Sequence, residues 1–154
     1  MSTLFDLLAK TLSGREWDRA ILELLKHLFT GGTVGNLATN GTAEYFPAVG
    51  VLAPTVTEAN TQQTVPQSGI VKNASIKLTV APGASKTRVF KLRKNGADTA
   101  IVVTITGGTA TLGTDTTNEV SVAAGDLLAW WSDGGAATTP AASQAKASVE
   151  YHLR

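Results

Sequence analysis

Few residues in this chain could do chemistry. Its 154 residues include no cysteine, which excludes a thiolate nucleophile, a cysteine metal site and a disulfide. The two histidines, His27 and His152, have no third metal-ligand candidate at useful spacing. His27 is expected near the C-terminus of a helix, where a cation suits the helix dipole. His152 is expected in the last strand. No Gly-x-Ser-x-Gly nucleophile motif occurs. Gly31-Gly32-Thr33-Val34-Gly35 has the glycines of a phosphate loop but lacks its lysine. It also follows a predicted helix where a strand is required, so it reads as a hinge. Asp98, Asp115, Glu119, Asp126 and Asp133 lie in or beside turns. Asp115-Thr116-Thr117-Asn118-Glu119 offers oxygen ligands without the glycine and spacing of an EF-hand, and turn-stabilising side-chain bonds account for it better. A carboxylate pair for glycoside hydrolysis is defined by distance in space, and no sequence sign favours one. The expectation is therefore no catalytic residue, no metal and no cofactor.

Two further clusters are candidates for binding. Lys86, Arg88, Lys91, Arg93 and Lys94 crowd one side of the Asn95-Gly96 turn. They read as a solvated hairpin or as a basic patch that docks on an acidic protein surface. Nucleic acid is not expected, because no aromatic platform interleaves and 13 Lys+Arg are balanced by 12 Asp+Glu. Trp130 and Trp131 are neighbours on a predicted strand, so they point to opposite faces. The inward one packs in the core. The outward one packs at an interface or stacks on a sugar ring.

The elements that position these residues fall into two segments. Residues 1 to about 30 read as helix. Leu4, Leu8 and Leu12 recur at four-residue spacing, and Ser13-Gly14-Arg15-Glu16 has capping-box form. Trp17, Ile21, Leu24, Leu25 and Leu28 share one face. Thr30-Gly31-Gly32 is expected to stop the second helix. Such an amphipathic arm must cover its apolar stripe with another surface. No signal peptide or membrane span is evident.

From Thr33 onward the pattern is that of strands. The expected ones are Glu44–Leu52, Ile70–Val80, Thr87–Lys94, Ala100–Thr106, Thr109–Leu112, Asn118–Val122, Asp126–Ser132 and Ala145–Leu153. Asn95-Gly96 is a hairpin signal. About eight strands with no helix between them predict an antiparallel β-sandwich, jelly-roll-like, over residues 33–154 behind a helical arm at 1–32. Residues 53–68 and 134–144 read as long loops. Two strands are apolar on both faces, through Val102 in one and through Leu127 and Trp131 in the other. A strand of that kind is covered on both sides, so these residues and the arm's stripe are the expected contact surfaces.

The stretches Leu92-Arg93-Lys94-Asn95-Gly96-Ala97-Asp98-Thr99-Ala100, Val103-Thr104-Ile105-Thr106-Gly107, Asp115-Thr116-Thr117 and Val120-Ser121-Val122-Ala123-Ala124-Gly125-Asp126-Leu127-Leu128 resemble a module common in tailed-phage and environmental viral sequences. The resemblance covers roughly residues 65–153. Modules of that type are similar to the jelly rolls of tumour-necrosis-factor and C1q-like trimers. The resemblance implies a virion structural protein, foremost a capsid decoration (cement) protein that assembles as a homotrimer on the head. A receptor-binding tail or head-fibre component is the alternative, and a carbohydrate-binding module using the outward Trp is a third. The implied partners are further copies of the chain, the major capsid protein or other virion proteins, and a host-surface glycan. Neither nucleic acid nor membrane is expected, and the implied location is the capsid surface rather than the tail. The resemblance brings no catalytic residue. The arm lies outside it and is expected to serve attachment or trimer bundling.

Overall fold

The computed structural model describes residues 26–135 and 139–153. Among them, ten strands make two sheets. The strands are β1 Lys26–Thr33, β2 Glu44–Pro47, β3 Gly50–Leu52, β4 Gln63–Thr64, β5 Gly69–Leu78, β6 Gly83–Lys94, β7 Ala97–Gly107, β8 Leu112–Val122, β9 Leu127–Ser132 and β10 Ala145–Leu153. Sheet A has the order β3-β1-β10-β5-β8. Sheet B has the order β2-β9-β6-β7, with β4 also pairing β9. Pairing is antiparallel except between β1 and β3.

Alternation fixes which side of each strand is buried. In β10, Ala145, Ala147, Val149 and Tyr151 face in while Lys146, Ser148 and Glu150 face out. In β7, Ile101, Val103 and Ile105 face in. Trp130 is fully buried, stacked on Phe46 at 6.3 Å between ring centroids, and Phe46 meets Phe90 edge-on at 6.2 Å. Asn95 and Gly96, at φ 52° and 80°, join Lys94 to its partner Ala97. Positive φ at both turn residues is what a two-residue type I′ hairpin requires.

The N-terminal expectation needs correction. Lys26–Thr33 is a strand, not the end of a helix closed by Gly31-Gly32. Residues 1–25, including Trp17, Ile21, Leu24 and Leu25, lie outside the described residues. The reason for the strand is tertiary. β1 pairs with β10 from Lys26↔His152 to Gly32↔Lys146, and Phe29 stacks on Tyr151 at 4.7 Å. Gly31 lies so close to Pro47 and Ala48 that a Cβ there would clash with backbone. A ladder of that length outweighs local helix preference. His27 accordingly sits on β1 opposite Tyr151, and no helix dipole acts on it there.

β8 is one strand where two were expected. Its register against β5 slips between Lys72↔Glu119 and Ala74↔Asp115, which is a β-bulge. The Asp115 carboxylate holds the bulge by accepting the backbone N–H groups of Thr117 and Asn118 and the Asn118 side-chain amide. It also accepts the backbone N–H of Val102 at 3.0 Å. That bond ties edge strand β7 of sheet B to edge strand β8 of sheet A and occupies a donor on an exposed edge.

Candidate interaction surface

The outer face of sheet A is organised in rows set by strand register. One row runs Leu28, Glu150, Lys72, Glu119; the next runs Thr30, Ser148, Ser75, Thr114; the third runs Val51, Gly32, Lys146, Lys77, Leu112. The first holds mixed charge. The second is a hydroxyl row, with Ser75 and Ser148 hydrogen-bonded at 2.7 Å. The third sets two lysines side by side between apolar residues. A groove of about 640 Å³ crosses this face, lined by Leu28, Val49, Val51, Lys77, Leu112 and Lys146 among others. Leu28, Val51 and Leu112 are 64%, 61% and 59% exposed, far more than large apolar side chains show in a core.

The margin of the same sheet is formed by β3, whose three residues are all exposed. β3 ends the sheet, and among the described residues no strand pairs with its outer side. Val34, Val49 and Leu52 extend its apolar surface, with the Val34 backbone N–H bonded to the Leu52 carbonyl. An apolar edge with unpaired backbone groups is a template for another chain.

The basic cluster predicted from the sequence is split by the fold. Arg88 shares the inward parity of Phe90 and Leu92 and is fully buried, so it belongs to no surface patch. Its Nη2 donates to the carbonyls of Leu37 and Ala141 at 3.4 and 3.2 Å, while Nε and Nη1 have no hydrogen-bond partner among the described residues. Burial pushes its pKa down, against the attraction of Asp133 and Glu44. The other four cations are engaged. Lys91 pairs with Asp98 at 2.6 Å, Arg93 with Glu58 at 3.0 Å and with Asp98, and Lys94 with Asp126 at 3.7 Å. Lys86 donates to the Thr139 carbonyl. The hydrogen bond that Arg93 donates to Glu58 leads the causes that raise the Arg93 pKa, and the one from Lys91 leads those that lower Asp98. Lys91, Arg93 and Lys94 are therefore neutralised by Glu58, Asp98 and Asp126.

Trp131 and Tyr45 are cross-strand partners on the outer face of sheet B. Lys91 Nζ lies 5.0 Å from the Trp131 ring centroid, and the Arg93 guanidinium lies 5.8 Å from that of Tyr45. Trp131 is half-buried, as is Leu127, while Val102 is 37% exposed. Leu28 faces out on β1, on the opposite sheet, so these four predicted contact residues do not form one surface. His152 is hydrogen-bonded to Glu150 at 2.9 Å. Among the described residues no group of three His, Asp or Glu is placed to hold a metal.

Sequence reasoning did not single out Lys77, Lys146 or Leu112. Each reads alone as an ordinary outward residue of an alternating strand. Only the register of β10 on β5 and of β5 on β8 brings them together, and register between distant strands is not written in local pattern.

No protein-family model and no curated protein matches this chain. Among solved structures, FLHE is similar over 82% of this chain and 97% of its own, at 14% identity and a TM-score of 0.38. The catalytic unit of a thermostable GH87 alpha-1,3-glucanase from Streptomyces thermodiastaticus is similar over 60% of this chain, at 13% identity and a TM-score of 0.32. The match spans 18% of that glucanase unit's length.

Proposed function

We propose that this chain is an assembly protein: a virion structural protein of a tailed bacteriophage that decorates the capsid as a homotrimer. The observation that carries the assembly reading is the open β3 edge. There Val34 and Leu52, exposed by 58% and 48%, lie at a strand with an unpaired outer side. Burying such side chains against another copy stabilises by roughly 1.5–3 kcal/mol each when complete.

The virion role comes from the sequence resemblance, and the strand order supports the jelly roll that the resemblance implies. Eight strands interleave as β1-β10-β5-β8 and β2-β9-β6-β7, so that successive ones among the eight cross between sheets at every step except the β6–β7 hairpin, as in a jelly roll of two Greek keys. A receptor-binding component would present loops 53–68 and 134–144, and a carbohydrate-binding module would use the Tyr45–Trp131 row, where each ring already has a cation of its own chain over it.

Particle localisation tests the virion role. Electron microscopy of intact particles carrying a labelled version of this chain should show many copies on the head. Label confined to the tail, or absent from particles, would contradict it.

A further inference from the structure

We propose that the groove on the outer face of sheet A binds an acidic segment of a different protein, with a carboxylate seated between Lys77 and Lys146 and apolar side chains against Val51, Leu28 and Leu112. This goes beyond the assembly reading and assigns the chemistry of a second partner. The β3 edge meets further copies; the groove meets something else.

The argument starts from register. Lys146 and Lys77 are direct cross-strand partners, and both are exposed on the same face. Like charges directly opposite in an antiparallel pair destabilise the sheet. Among the described residues neither lysine has an ion-pair partner. Their row neighbours are Leu112 on one side and Gly32, then Val51, on the other. The acids of this face, Glu150 and Glu119, flank Lys72 two rows away. The face thus has a mixed-charge end and a basic end with hydroxyls between. An anion placed between the two lysines relieves their repulsion.

The surroundings narrow what carries that anion. Gly31 and Gly50 line the groove with bare backbone. Exposed Leu28, Val51 and Leu112 border it. An inorganic ion makes no use of apolar walls. A carboxylate on an apolar-flanked peptide covers them, excludes water and strengthens its own attraction to the lysines.

A second copy of this chain does not fit as well. Laid face to face about a two-fold axis along the hydroxyl row, it pairs Lys146 with Glu150 but sets Lys77 against Lys72 and Glu119 against Leu112. With the axis parallel to the strands between β10 and β5, Glu150 meets Lys72, but Lys77 meets Lys146, so Lys77 faces a cation in both arrangements.

The test uses the full chain and three fluorescein-labelled peptides of one length: alternating leucine and glutamate, the same with lysine for glutamate, and the same with glutamine. Fluorescence anisotropy reads affinity, and amide NMR shifts locate the contact. The glutamate peptide is expected to bind, with shifts clustered at Thr30, Gly32, Ser75, Lys77, Lys146 and Ser148. The double variant K77E/K146E should weaken it about tenfold, and so should high salt. The K77Q/K146Q variant should give a smaller loss. Both substitute exposed positions, and unchanged melting temperatures confirm that they fold. Equal binding of all three peptides, no binding of the glutamate peptide, shifts elsewhere, or indifference to K77E/K146E would each overturn the proposal. So would loss of self-association in K77E/K146E, because it would make the groove a contact between copies. Self-association that fails while glutamate-peptide binding persists would sink the assembly reading and leave this one standing.

Discussion

At the scale of single residues, parity along a strand decides the roles of adjacent side chains. Trp130 lies in the core between Phe46 and the inner strands, and Trp131 lies outside under Lys91. Trp130→Ala should therefore lower unfolding free energy by about 3–5 kcal/mol. Trp131→Ala should lose about 1 kcal/mol with its cation–π contact. Denaturant titration of both variants checks the difference, and equal losses would contradict the assignment. Asp115 offers a second test. Burial pushes its pKa up, but hydrogen bonds from Asn118, Val102 and Thr117 outweigh that and hold it below the usual carboxylate value. A depressed folded pKa contributes stability that is present above the unfolded value, near ~3.9, and lost as pH falls through the folded one. Asp115→Asn should cost about 1–3 kcal/mol at neutral pH. Its deficit against the parent chain should shrink as pH drops below that of an ordinary carboxylate. Parity also places Arg88 beside Phe90 and Leu92, and that much was legible in the sequence. Its burial was not, because no local pattern tells that β6 is covered at its Arg88 end by Leu37 and Ala141.

At the scale of elements, turn chemistry was the most readable signal. Asn95-Gly96 predicts a tight hairpin, and both residues adopt positive φ. Nothing lies within 4 Å of a Cβ built on Gly96, so a side chain there is opposed by backbone conformation alone. Gly96→Val should destabilise by about 1–2 kcal/mol, seen as a lower thermal midpoint with the β circular-dichroism signature intact. β1 was not readable. Leu28 continues the spacing of Leu24 and Leu25, and Gly31-Gly32 has the form of a helix stop. Both signals are local, while the partners that make the strand, Lys146 to His152, lie at the far end of the chain. β8 was read as two strands for a related reason: Thr116 and Thr117 sit in a bulge that an acid from within the strand ties down. Strands whose pattern and turns agree were found; strands made by distant pairing, or interrupted by a bulge, were missed or cut.

At the scale of the whole molecule, the sandwich buries its inner faces and leaves apolar surface in two places on sheet A. One is the β3 edge and the other is the groove beside Lys77 and Lys146. The sequence foresaw surplus apolar surface but placed it elsewhere, at Val102, Leu127 and Trp131. Lys91 over Trp131 covers part of that surplus, while the Val102 side chain stays 37% exposed. The central claim is that this chain assembles through the β3 edge. Light scattering across a concentration series, on the parent chain and on the Val34→Ser/Leu52→Ser variant, tests it most directly. The account predicts a trimer mass for the parent and a monomer mass for the variant, with closely similar circular dichroism. A parent chain that stays monomeric at high concentration, or a variant that keeps the parent's mass, would contradict it.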